Sequence, residues 1–174
     1  EEHDAEGRVL ARRPLEYVTP TRMSANTLCV AMLRRSEGEI LIGLDDHDLP
    51  AAQCFTGNSD LWVTPAWRLP LHIQGRFASR QWLRGRIEAE YGIQCGEVWE
   101  LGGRFHPSVG ATPEVVHPFA VEVVSGTGER QGMRWVPLMD AVRHRRGLPD
   151  GHLQVVMLRA AHALGLVRAR EEAE

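Results

Sequence analysis

The apolar and polar positions along the chain alternate in blocks that predict strands and helices in a definite order. Residues 27–33 (TLCVAML) form a continuous apolar run, and 39–44 (EILIGL) form another after a Ser36-Glu37-Gly38 turn, so the two read as a strand pair. A polar, turn-rich stretch follows over 45–58, a loop length that in a compact domain points to function or mobility. Its acids Asp45, Asp46 and Asp48, with His47, read as a solvated turn. Residues 61–67 alternate again. Ala78, Trp82, Leu83, Ile87 and Tyr91 then recur at helical spacing, with Ser79 as expected N-cap and Gly92 as the stop.

Beyond that helix, 97–105 (EVWELGGRF) and 115–124 (VVHPFAVEVV) have the β-branched and aromatic character of strands. The segment MRWVPL reads as a further strand, and 137–144 as a short helix whose end is followed by Arg143, Arg145 and Arg146, basic residues that complement a helix C-terminus. Asp150 is the expected N-cap of a last helix, in which Leu153, Val156, Met157, Ala160, Ala161 and Leu164 make the apolar face and Gly165 the stop. The five tryptophans read as core or loop anchors, any one of which could stack on a base.

A length of 174 residues suits one domain with a single sizeable core. The expected division is an N-terminal extension over 1–25, a domain over 26–168 and a frayed tail over 169–174. The first residue is not Met, as expected of a processed product or a piece of something longer. With 20 Lys and Arg against 23 Asp and Glu, the net charge of −3 gives no clear nucleic-acid signal. No apolar run approaches the roughly 20 residues that span a bilayer, so no membrane partner is expected. Cys29, Cys54 and Cys95 lie far apart without C-x-x-C spacing, and the eight histidines form no short ligand motif. These features predict a reduced, cytoplasmic protein without a structural metal.

The chemistry is concentrated in residues 67–93, where Arg80, Arg84, Arg86, Glu88 and Glu90 crowd the polar side of the helix. This stretch resembles a Nudix box, whose pattern is Gly, five residues, Glu, seven residues, then Arg-Glu-U-x-Glu-Glu-x-Gly-U with U aliphatic. Ile87, Glu90, Gly92 and Ile93 keep their places in it, while Gly85-Arg86 stands for Arg-Glu and Ala89 for the first of the paired glutamates. The leading Leu-Pro-Gly-Gly appears as Leu69-Pro70-Leu71-His72, and Gly-Glu as Gly75-Arg76 with a loop one residue shorter. Further on, Pro107 and Glu114 match positions of ADP-ribose pyrophosphatase-like Nudix proteins. The resemblance covers about residues 26–166 and implies an α/β fold, a Nudix-like α/β/α sandwich with a mixed β-sheet.

Two of the three helix carboxylates that hold magnesium in the family are absent, and a Mg²⁺ site prefers octahedral oxygen ligation. The degenerate box therefore predicts no cofactor and a non-catalytic or weakly active binder of a nucleotide-type ligand, a nucleoside diphosphate linked to another moiety, or of a protein partner. In that reading Arg76, Arg80, Arg84 and Arg86 are the ligand-binding candidates, because guanidinium matches phosphate bidentately without a bridging metal. The alternative is a divergent Mg²⁺-dependent pyrophosphohydrolase acting on an ADP-ribose-like substrate. Glu90 would then be both catalytic and the metal ligand, Glu114 would position or deprotonate water, and Glu97 or Glu100 would add a carboxylate. A third reading is a structural or assembly domain of a larger complex, and an oligomer fits any of the three.

Overall fold

A computed structural model describes residues 2–3, 9–11, 23–48, 60–108, 112–126, 128 and 132–167. Two short strands, β1 (Glu2–His3) and β2 (Val9–Ala11), pair antiparallel with one another. The rest is built around β3 (Met23–Ser36), which contains the unbroken apolar run. It forms a hairpin with β4 (Glu39–Asp48), Ser36 facing Glu39, across a turn in which Glu37 and Gly38 both have positive φ.

On the same edge, the first half of β3 pairs antiparallel with β6 (Ala66–Pro70), and β5 (Asp60–Val63) pairs with the end of β4. On its other edge β3 runs parallel to β8 (Val115–Ser125), with Thr27 opposite Val116 and Met32 opposite Val121. Beyond β8 lies β7 (Gln94–Glu100), which ends the sheet among the described residues and carries register shifts on either side of Cys95. Strand β9 (Arg134–Pro137) pairs with β4. One parallel pair within antiparallel neighbours makes the seven-stranded sheet mixed.

Side chains alternate across a strand, so β3 feeds two cores. Leu28, Val30 and Met32 face helix α1 (Arg76–Tyr91) together with Phe119, Val121 and Val123 of β8. Cys29, Ala31 and Leu33 face the opposite side, where helices α2 (Leu138–Arg143) and α3 (Gly151–Ala163) supply Leu138, Leu153, Val156, Met157 and Ala160. Both faces are covered, as an unbroken apolar strand requires. The result is an α/β/α sandwich with a mixed sheet, the architecture that the sequence resemblance implies.

The last helix matches its sequence signals: Asp150 accepts from the amides of His152 and Leu153, and Gly165 follows with positive φ. After α2, Arg143 pairs with Asp140, and Arg145 donates to the Val142 carbonyl. Helix α1 starts earlier than expected. Gly75, with φ 81°, takes the N-cap position, and Ser79 lies one turn inside, buried, with its hydroxyl donating back to the Gly75 carbonyl. Gly92 ends the helix in the left-handed conformation.

The acids after residue 44 also differ from expectation. Strand β4 continues to Asp48, and Asp45 is buried rather than solvated. Its Oδ2 accepts from the Tyr91 hydroxyl at 2.6 Å and contacts His47 Nε2 at 2.9 Å. Burial, and then this bond to Asp45, push the Tyr91 phenol above its usual range, so it stays a donor. Residues 49–59 of the expected long loop lie outside the described residues, as do the tail over 169–174 and most of the 1–25 extension.

Two stability predictions follow from the α1 contacts. Ile87 is fully buried under the helix, and Ile87→Ala is expected to cost about 2–5 kcal/mol in urea unfolding. Tyr91→Phe leaves a buried carboxylate without its hydroxyl donor and is expected to cost roughly 1–3 kcal/mol in the same measurement.

Candidate functional site

The arginines of α1 divide between two sides of the helix. Residues four apart lie one above another, so Arg76, Arg80 and Arg84 form a row, and the row faces β7. Arg76 Nε and Arg80 Nη2 approach the same Glu100 oxygen, Oε1, at 3.6 and 3.4 Å. One turn on, Arg84 donates to the backbone carbonyls of Cys95 at 3.0 Å and Gly96 at 2.5 Å. Glu88 completes this set by accepting the Cys95 amide at 3.1 Å. Arg86 stands apart and meets Glu90 Oε2 at 2.7 Å, an i,i+4 pair between half-exposed side chains worth roughly 0.2–0.5 kcal/mol.

Glu90 and Glu114 are not brought together. Glu90 belongs to α1, which packs on the Leu28–Val30–Met32 side of β3. Glu114 accepts from the Thr27 hydroxyl at 2.5 Å and lies 3.9 Å from Arg68, the residue of β6 that stands opposite Thr27. Thr27 and Arg68 are opposite one another and share the side of Cys29 and Ala31, so the sheet stands between the two glutamates. Glu97 is exposed on β7, and Pro107 is exposed on the loop before β8. Among the described residues, no three of His, Cys, Asp and Glu converge on a position that could hold a metal ion. Glu90 is paired with the Arg86 guanidinium, and one paired carboxylate is a poor donor set for Mg²⁺.

A large concavity lies at the other end of α1. Fourteen residues separate Arg76 from Glu90, about 21 Å along the axis at 1.5 Å per residue. Here a cleft of about 600 Å³ opens between the start of the helix, the end of β6, the first residues of β3 and β8, and the chain leaving β7. Leu28, Leu69, Ile73 and Phe119 give it an apolar floor; Arg76, Glu100, Arg104 and His117 give it a charged and polar rim. His117 Nε2 donates to Asn26 Oδ1 at 2.8 Å. Burial, and then the positive charge of Arg104, hold the imidazole below its usual range, so it is neutral at pH 7 with Nδ1 as its remaining acceptor.

Thiol chemistry finds no support among the described cysteines. Burial pushes the Cys95 thiol up to about 11 and Cys29 further still, so neither is a thiolate at neutral pH.

Several of these groups escaped the sequence reading. His117 stands two residues before Phe119 in the row of β8 that faces α1, and an ionisable residue in an otherwise apolar row was the available signal. Asn26, Arg68 and Arg104 carried none, because what distinguishes them is a partner far along the chain.

No family model matches the sequence, and neither does any curated protein. Among solved structures, the crystal structure of an Ap4A hydrolase from C. elegans resembles this fold with a TM-score of 0.52. The alignment covers 82% of this chain and 99% of that one at 12% sequence identity. At that identity the likeness is one of fold.

Proposed function

We propose that this domain binds a nucleotide-type ligand, a nucleoside diphosphate linked to another moiety, and does so without metal-dependent hydrolysis. The observation that carries this reading is the Arg86–Glu90 pair: a guanidinium occupies a carboxylate position of the box and neutralises the carboxylate that remains. A divalent cation brought to Glu90 would have to displace Arg86 and would meet no second helix carboxylate at the position of Ala89. The fold supports the ligand class, since the solved neighbour is an Ap4A hydrolase.

The hydrolase alternative asks for more than Glu90 can give. Metal-assisted attack on a phosphoanhydride needs a positioned water and neutralised phosphates at one centre. Glu114, the candidate for handling the water, is held by Thr27 and Arg68 across the sheet from α1.

Isothermal titration of the purified chain with ADP-ribose and with Ap4A, each in Mg²⁺ and in EDTA, tests the reading, with a product assay on the same samples. Binding of at least one ligand is expected, with equal affinity in the two buffers and no product. Glu90→Gln should alter neither result. Turnover that requires Mg²⁺ and disappears in Glu90→Gln would overturn the proposal in favour of hydrolysis. Absence of binding to both ligands would overturn it in favour of a protein partner.

A further inference from the structure

The cleft at the start of α1 has a lining that selects among ligand chemistries. Its volume, about 600 Å³, falls within the range of small-molecule sites. Glu100 is the one acid in the lining, which also carries two cations, Arg76, 3.6 Å from Glu100, and Arg104. A simple anion would satisfy the arginines and be repelled by Glu100. A neutral sugar would satisfy Glu100 and leave the cations unused. A molecule carrying both an anionic group and paired hydroxyl donors satisfies all three, and the apolar floor of Leu28, Leu69, Ile73 and Phe119 adds a surface for a flat, weakly polar ring.

We propose that this cleft is a ribonucleotide site: Glu100 accepts the vicinal ribose hydroxyls, Arg76 and Arg104 take the phosphate, and the base lies over the apolar floor beside His117. This rests on the nucleotide-binding reading above and gives that ligand a place, at the end of α1 remote from Glu90. Both contacts made by Arg76 and Arg80 fall on Glu100 Oε1, which leaves Oε2 open to a donor. The arginines also hold the carboxylate in one orientation, so that Oε2 is the oxygen presented to the ribose hydroxyls. His117 is equally prepared: its Nε2 proton is committed to Asn26, so Nδ1 accepts from a base amino group or a hydroxyl. The site needs no metal, because guanidinium groups supply the charge complement for phosphate.

Titration with AMP, 2′-deoxy-AMP and inorganic phosphate in EDTA is the test, run on the wild-type chain and on Glu100→Gln, Arg104→Glu, Arg68→Glu and Arg143→Glu. Circular dichroism and thermal melts establish that each variant is folded. A hydrogen bond to a charged acceptor predicts that AMP binds about tenfold or more tightly than its deoxy analogue. Glu100→Gln should remove most of that preference, and Arg104→Glu should weaken AMP by about tenfold or more. Arg143→Glu makes the same charge change on an exposed side chain that pairs with Asp140 outside the cleft lining, and should leave AMP binding as it was.

The ways of failing are distinguishable. If the wild-type chain binds ADP-ribose and the Glu100 and Arg104 variants bind it equally well, the cleft assignment is overturned while nucleotide binding stands. Loss in Arg68→Glu with the cleft variants intact would overturn it too, and would put the ligand on the Glu114 side of the sheet. If none of AMP, ADP-ribose and Ap4A binds the wild type, the site and the reading beneath it fall together.

Discussion

The parallel pairing of β3 with β8 is the constraint on which the rest depends. Residues 27–33 are buried without interruption, so both faces of the central pair must be covered by other elements. Helix α1 covers one face and α3, with α2, the other, and each brings its own polar residues to its own side. The separation of Glu90 from Glu114 follows directly. A sheet whose middle strand is dry on both faces divides the molecule into compartments, and carboxylates that look close in the order of motifs end up with a layer of backbone between them.

What could be read from the sequence was what local periodicity records. The strand pair, the two longer helices and the mixed order of elements all follow from spacings of two or of three to four residues. Asp150 and Gly165 behave as their signals say because a cap is a contact within one turn. Misreadings arose where a distant partner reversed a local preference. Asp45 looked like part of a solvated turn, yet Tyr91, 46 residues away, makes its burial tolerable. Ser79 looked like a cap, yet Gly75 reaches a positive φ that lets the helix begin a turn sooner.

The candidate site was legible only as a concentration of charge. Composition placed four arginines near one helix, but the geometry distributes them by residue number: those four apart share the β7 side, and Arg86, two residues beyond Arg84, leaves the row. The sequence motif drew attention to the Glu90 end, while the concavity lies about four turns away. Cleft-lining residues such as Asn26, Glu100 and His117 belong to three different strand regions, and no motif links them. Their convergence is a property of the strand order.

The contacts that Arg84 and Glu88 make with Cys95 and Gly96 have a consequence of another kind. Strand β7 is the last in its sheet among the described residues, and an open edge with unpaired carbonyls and amides is a template on which a second molecule can add a strand. Here a guanidinium takes the carbonyls of Cys95 and Gly96 and a carboxylate takes the Cys95 amide, at a point where the register already shifts. The helix side chains thus serve as a partial stand-in for a missing neighbouring strand, blunting that edge against self-association. The polar side of α1 is part of what keeps the sheet finite.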